Sequence, residues 1–288
     1  MSNFEAMYYE AIKEDFLRCL LCPHYCEIPQ SSSGKCGVRK NLKGKLIADS
    51  YSKVNGIALD PIEKKPLHFF YPGSMILSVG TYGCNLDCPF CQNYKSVRKH
   101  LSSDGHSDEI SPTVLLELAK KYITHGNIGV AYTYNEPMVG YEYVYESAKL
   151  IKNAGFKNIL VTNGFINPHP LQELLPYVDA MNIDLKAFSP GFYEKLGANL
   201  EAVKDTIANA AKNCHIEVTI LIIPGENEFD IIDAAKWIAS INESIPLHLS
   251  RFFPRYKYAN YSPTPLETLQ NAAKQAKRYL QNVVLGNI

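Results

Sequence analysis

From Ile76 onward the chain alternates short β-branched, apolar runs with stretches of helical periodicity, and no other feature constrains its fold as strongly. Strands joined by helix-length crossovers pair in parallel and carry their helices on the outside, which is the pattern of βα units. The runs predict strands over 76–79, 128–132, 158–161, 180–185, 216–223 and 247–251, with helices near 112–125, 140–154, 168–177, 201–212, 229–241 and 264–280. These repeats predict an α/β fold, a (β/α)6 partial TIM barrel, because a complete eightfold barrel takes about 250 residues by itself. A further run, Val283–Leu285, offers a last strand. Residues 1–72 stay outside the alternation and read as a small Cys-rich N-terminal module, with the barrel over 73–288.

With 288 residues, 46% of them hydrophobic, the chain can bury a sizeable core. Its 29 Lys and Arg balance 29 Asp and Glu, so it lacks the excess of cations that nucleic-acid binding draws on, and no nucleic-acid partner is expected. No apolar run approaches the roughly 18 residues that span a bilayer. The opening MSNFEAMYYEAIKEDF carries acidic residues early and lacks an apolar core. Together these features predict a cytoplasmic protein with no membrane partner. In a reducing cytosol, clustered cysteines act as metal ligands or catalytic groups rather than as disulfides. Of eight cysteines, seven precede residue 92; Cys214 lies beyond and reads as a small buried hydrophobe.

Parallel barrels carry their chemistry on the loops at the carboxyl ends of the strands. Those loops are polar here: Tyr82-Gly83-Cys84, Tyr134-Asn135-Glu136-Pro137, Thr162-Asn163-Gly164, Lys186, Pro224-Gly225-Glu226 and Phe252-Phe253-Pro254. The first of them continues into Cys84-Asn85-Leu86-Asp87-Cys88-Pro89-Phe90-Cys91, a C-x3-C-x2-C loop. Three thiolates on one loop can cap three corners of a [4Fe-4S] cube and leave one iron open to a small chelating molecule, whereas structural zinc asks for a fourth ligand. Zinc with a distant fourth ligand such as Cys214 or a His is the competing reading. A redox C-x-x-C pair at Cys88 and Cys91 leaves Cys84 unexplained.

With Phe90 before Cys91, this loop resembles the C-x3-C-x-aromatic-C hallmark of the radical S-adenosylmethionine (SAM) enzymes. The likeness covers nearly the whole chain. Asp60-Pro61-Ile62-Glu63-Lys64-Lys65-Pro66-Leu67, and Ser78-Val79-Gly80-Thr81-Tyr82-Gly83-Cys84 through Cys91-Gln92-Asn93, are similar to the radical SAM member of the AmmeMemoRadiSam system, a relative of pyruvate formate-lyase activating enzymes. The resemblance implies a [4Fe-4S] cluster on Cys84, Cys88 and Cys91 that reductively cleaves SAM to methionine and a 5′-deoxyadenosyl radical. That radical would take hydrogen from a protein or small-molecule substrate, either a glycine Cα–H of a glycyl-radical enzyme or a substrate connected with Memo and AMMECR-type proteins. A one-electron donor such as flavodoxin or ferredoxin is implied as a partner.

The resemblance also implies roles for other residues. Phe90 adjoins the cofactor. Glu136, in Thr133-Tyr134-Asn135-Glu136-Pro137, matches the residue that holds the SAM amino group, with Asn135 in place of a glycine. Two strand ends seat the SAM carboxylate and, in some relatives, a monovalent cation. The first reads Val161-Thr162-Asn163-Gly164, without the family's acid, and the second is intact as Asp184-Leu185-Lys186. His248, with Arg251 beside it, matches an adenine or substrate contact. Local chemistry offers plainer roles: a helix cap at Asn135 and Glu136, a turn at Asn163-Gly164, an ion pair between Asp184 and Lys186, and a structural histidine.

The spacing Cys19-x2-Cys22-x3-Cys26-x9-Cys36 supplies the thiols that a closed zinc site or a second Fe–S cluster requires. Relatives carry a carboxyl-terminal C-P-x-C-G segment that this chain lacks. Two other classes compete with the radical enzyme. One is a Schiff-base aldolase-like barrel using Lys186, which leaves the early cysteines idle. The other is a non-enzymatic Fe–S or zinc protein, which leaves the polar strand ends idle.

Overall fold

A computed structural model describes residues 4–98 and 107–288. Its main element is an eight-stranded sheet. Seven parallel strands run in chain order, Met75–Gly80, Asn127–Tyr132, Lys157–Thr162, Ala180–Asp184, His215–Ile222, Leu247–Arg251 and Val283–Gly286. Each expected strand is present to within a residue or two, and Val283–Gly286 supplies the last. An added strand, Gly56–Pro61, pairs antiparallel with Met75–Gly80 along the open edge. The sheet thus takes in residues that the sequence reading gave to the N-terminal module. The run Gly-Ile-Ala-Leu-Asp-Pro shows no clean alternation, and Pro61 is tolerated because an edge strand needs no donor on its outer side.

Helices cover the outer face, each burying an i, i+3, i+4 stripe against the strands. Helix Ile231–Ile241 buries Ile231, Ala234, Ala235 and Ile238. The Ser111 hydroxyl accepts from the Val114 N–H with Pro112 at the first helical position, which starts helix Pro112–Lys121. Asn199 caps Leu200–Ala210 in the same way through Ala202.

The amino-terminal end of the barrel is plugged by the segment after Pro61. The Pro66 carbonyl accepts from Asn182 Nδ2, and the N–H groups of His68 and Phe69 donate to the buried Glu217 at 3.1 and 2.8 Å. The Asp60-to-Leu67 string is therefore architectural: Asp60 bonds Lys65, Ser78 and the Tyr134 hydroxyl at 2.8 to 2.9 Å.

The N-terminal region forms a three-stranded antiparallel sheet, Tyr9–Lys13, Phe16–Cys19 and Glu27–Pro29, and a hairpin, Arg39–Leu42 with Lys45–Ala48. Lys43 and Gly44 both take positive φ at the hairpin tip, as a two-residue turn between twisted strands requires. A buried ion pair fastens this region to helix Tyr141–Asn153: Arg39 Nη1 reaches both Glu142 oxygens at 3.0 Å, and the Met7 N–H donates to Glu142 at 2.7 Å.

Candidate active site

A cavity of about 260 Å³ opens at the carboxyl ends of the parallel strands. It is lined by Cys84, Cys88 and Cys91 from the loop after the first parallel strand, by Asn135 and Glu136 after the second, and by Val161, Thr162 and Asn163 at the third. Asp184 and Lys186 line it from the fourth, Leu221 from the fifth, and Ser250 from the sixth. Phe90 lies on the same wall. All of the barrel residues proposed from sequence meet here except His248 and its neighbour Arg251, whose Nε donates to the Thr264 carbonyl at 2.7 Å.

Backbone geometry aims the cysteine loop inward. Gly83 sits at φ +95°, and a Cβ there would lie 2.6 Å from Val38 Cγ1 and 3.0 Å from the Cys36 carbonyl oxygen; glycine is the residue that fits. Asn135 laces the neighbouring turn: its Oδ1 accepts from the Thr81 N–H at 3.0 Å, and its Nδ2 faces the carbonyls of Tyr82 and Gly83 at 3.2 Å. The asparagine that replaces a glycine thus holds the loop rather than capping a helix. Asn163 Oδ1 accepts from the Phe165 N–H, an Asx turn, while its Nδ2 reaches Asn85 Oδ1 at 2.9 Å and Cys84 Sγ at 3.7 Å. Turn chemistry and contact with a thiol coincide in one side chain.

Among the described residues, the cavity lining contains three thiols and no fourth. Burial pushes the Cys84 and Cys91 thiols up and takes Cys88 to about 12. As isolated groups they stay protonated, and thiolate character here depends on a bound cation. Among the described residues, no three His, Cys, Asp or Glu side chains stand close enough together, as placed, to hold one metal ion. A cube carries its cysteines on separate irons and does not ask them to meet at one point.

Glu136 is fully buried, and burial raises its carboxyl to about 7 despite the donors that favour the charged form. Those donors are the Asn163 N–H and the Thr162 hydroxyl, each at 2.7 Å, and the Met138 N–H at 3.0 Å, which makes Glu136 the cap of the short helix Pro137–Gly140. Oε1 takes two of these bonds and Oε2 takes one, so a lone pair of Oε2 is free for a further donor. Across the cavity, Lys186 Nζ lies 2.7 Å from Asp184 Oδ2. Burial alone would depress the Lys186 ammonium, but Asp184 outweighs it and holds the group well above the ordinary lysine range. A Schiff-base lysine must lose its proton before it attacks a carbonyl, so this environment works against the aldolase reading. The Asp184–Lys186 pair also bears on a monovalent cation: the Val161 side chain carries no oxygen, and Asp184 is already neutralised by Lys186. The donor set does not fit a cation there.

His248 is corrected by the structure. It lies outside the cavity lining, near the barrel's amino-terminal plug, with Nε2 2.6 Å from Glu217 Oε2 and its ring 5.0 Å from that of His68. Burial opposes the Glu217 charge, but His215, His248 and the N–H groups of Phe69 and His68 hold the carboxyl at about 2. The residue on that strand that reaches the cavity is Ser250, two positions on and on the same face. Sequence reasoning missed Ser250, Thr219 and Asn287, small polar residues with no motif to mark them. Cys214 is half-buried outside the cavity, its thiol directed at the Ala210 carbonyl.

Cys19, Cys22, Cys26 and Cys36 line a second, much smaller cavity of about 10 Å³ behind the cysteine loop. The two thiol sets are neighbours: His24 Nε2 lies 2.7 Å from the carbonyl oxygen of Asn85, and Asn85 Nδ2 donates to the Phe165 carbonyl at 2.7 Å. Among the described residues, no helix is long and apolar enough to cross a membrane.

The model of the Radical SAM superfamily matches residues 78–238. An uncharacterized protein of Methanocaldococcus jannaschii is 39% identical over 99% of this chain and 85% of its own length. A second protein of that archaeon, provisionally named a glycyl-radical enzyme activating enzyme, is 27% identical over 76% of this chain and 91% of its own. The solved structure of QueE from Escherichia coli, 12% identical, shares the fold with a TM-score of 0.51 over 81% of this chain and 93% of that one.

Proposed function

This chain belongs to the radical SAM superfamily, and from that premise we propose an enzyme resembling the glycyl-radical activating enzymes, which removes hydrogen from a substrate seated over the large cavity. The observation that carries the reading is convergence. Three thiols, a buried carboxylate and a carboxylate–ammonium pair, from the ends of the first, second and fourth parallel strands, line one cavity.

The residues fit a [4Fe-4S] cluster and SAM. Cys84, Cys88 and Cys91 would each hold one iron, and among the described residues the lining has no fourth thiol to close the last corner. When bound, the reduced cluster with SAM supplies methionine and a 5′-deoxyadenosyl radical that abstracts hydrogen. Glu136, through Oε2, would accept from the SAM ammonium in a charge-assisted bond. Lys186, kept protonated by Asp184, would face the SAM carboxylate. Phe90, Leu86, Val161 and Leu221 supply apolar wall that keeps water from the reacting atoms. The barrel holds the machinery for radical formation, while the electron comes from a one-electron donor of the flavodoxin or ferredoxin kind.

The test is iron and sulfide content after anaerobic reconstitution, combined with EPR of the reduced protein. An open-iron cluster on these cysteines predicts a reduced signal that shifts on addition of SAM, and Cys84→Ala, Cys88→Ala and Cys91→Ala should each lose it. A signal indifferent to SAM would return the site to an electron carrier.

A further inference from the structure

We propose that the Asn163 carboxamide donates a hydrogen bond to Cys84 Sγ and thereby raises the reduction potential of the cluster that this cysteine carries. The inference rests on the reading of Cys84, Cys88 and Cys91 as iron ligands. It goes beyond that reading by giving a residue outside the cysteine loop a part in electron uptake.

A backbone clamp fixes the direction of the donor. The amino and carbonyl ends of a carboxamide are told apart by their partners, and Phe165 supplies one partner of each kind. Its N–H donates to Asn163 Oδ1 at 2.9 Å, which leaves Asn163 Nδ2 to face Asn85 and Cys84. Its carbonyl accepts from Asn85 Nδ2 at 2.7 Å, which leaves Asn85 Oδ1 to face Asn163. The two amides then meet donor to acceptor, with Asn163 Nδ2 2.9 Å from Asn85 Oδ1. One hydrogen of Nδ2 is left, and Cys84 Sγ faces it at 3.7 Å. Flipping either carboxamide would set donor against donor or acceptor against acceptor at Phe165, so the pair has one orientation.

The setting gives this donor weight. Asn163 and Asn85 are 6% and 4% exposed, and a buried N–H is costly without an acceptor. A thiol is a weak acceptor, whereas a sulfur carrying negative charge is a strong one. Cys84 also takes the Leu86 N–H at 3.4 Å, a bond from within its own loop. Asn163 adds a donor from a different strand end, and its backbone N–H donates to Glu136 Oε2 at 2.7 Å. One residue therefore addresses both the cysteine and the carboxylate proposed for SAM. Reduction adds an electron whose charge is shared by the cysteine sulfurs. A donor aimed at one of them favours the reduced form and raises the potential.

The test is an anaerobic redox titration, followed by EPR, of the reconstituted full chain and of Asn163→Ser. Serine retains an oxygen for the Phe165 N–H, adds no charge and removes the amino group. Loss of one hydrogen bond should lower the ratio of reduced to oxidised cluster at a fixed potential about three- to tenfold, a fall in midpoint of about 30 to 60 mV. A midpoint that stays put or rises overturns the proposal. A merely structural Asn163 would change melting temperature and iron content and leave the midpoint alone. If Asn163→Ser holds no cluster, Asn85→Ala decides in its place: it frees Nδ2 from its anchor, so the midpoint should fall in the same direction, and an unchanged midpoint overturns the proposal. Adding SAM to the reduced wild-type chain keeps the two claims apart. A signal that shifts with SAM while the midpoints agree leaves the open-iron reading standing and removes the donor. A signal indifferent to SAM with the midpoints apart does the reverse.

Discussion

Replacing Glu136 with glutamine tests whether the buried carboxylate serves SAM or only its own turn. The carboxyl is raised from 4.5 to about 7, which corresponds to about 3 kcal/mol against the charged form. In the absence of a cation the folded chain therefore holds the proton more tightly than the unfolded chain does. The sign of the linkage follows: this group's contribution to stability falls as pH rises from 4.5 through 7. Glu136→Gln removes that dependence while losing one of three accepted hydrogen bonds, so the variant stays folded at neutral pH. An ammonium beside Oε2 reverses the preference, because it pairs with the charged carboxylate in a bond of about 1.5–3 kcal/mol. Glu136→Gln should then weaken SAM binding about 10- to 100-fold at pH 7.5. Wild-type affinity should also fall about fivefold between pH 7 and pH 6, as the carboxylate takes up its proton, whereas the variant's should stay flat. Equilibrium dialysis of labelled SAM against anaerobically reconstituted protein, from pH 6 to 7.5, measures both. Wild-type affinity in the variant, or a pH dependence shared by the two proteins, would show that Glu136 caps a helix and nothing more.

Gly83→Ala places a side chain at φ +95° and 2.6 Å from Val38 Cγ1. Left-handed strain and overpacking together should cost about 2–5 kcal/mol, read as a lowered melting temperature and poorer iron retention. Adding Val38→Ala should restore part of both, since it relieves the side-chain contact and leaves the strain and the Cys36 carbonyl in place; no restoration would mean that the contact is unimportant. Glu142→Gln leaves the Arg39 guanidinium, 2% exposed at its side chain, without its counter-charge. Breaking a buried pair costs about 3–5 kcal/mol, so urea unfolding should show a loss of that size. A double substitution to apolar residues of similar volume should lose less, and equal losses would place the cost in packing.

The strands were legible because hydrophobic runs of the right length, separated by helical periodicity, leave few alternatives. Each observed boundary lies within a residue or two of the expected one. The edge strand Gly56–Pro61 was not legible, because its burial comes from a neighbour in the sheet and not from any alternation of its own. The site was readable where motifs carry chemistry at fixed spacing, as at Cys84, Cys88, Cys91, Glu136 and Asp184 with Lys186. Depth along a strand was not readable. His248 and Ser250 share a face, but the first descends to Glu217 and the plug while the second reaches the cavity. Spacing also could not distinguish two sets of thiols that the fold gives very different volumes, about 260 and about 10 Å³.

The most direct measurement of the central claim is the release of 5′-deoxyadenosine from SAM by anaerobically reconstituted, dithionite-reduced protein, followed by chromatography. The account predicts slow release from the wild-type chain and none from Cys84→Ala, Cys88→Ala or Cys91→Ala. No release from a protein that holds its full iron, or release that persists when any of these cysteines is removed, would contradict it.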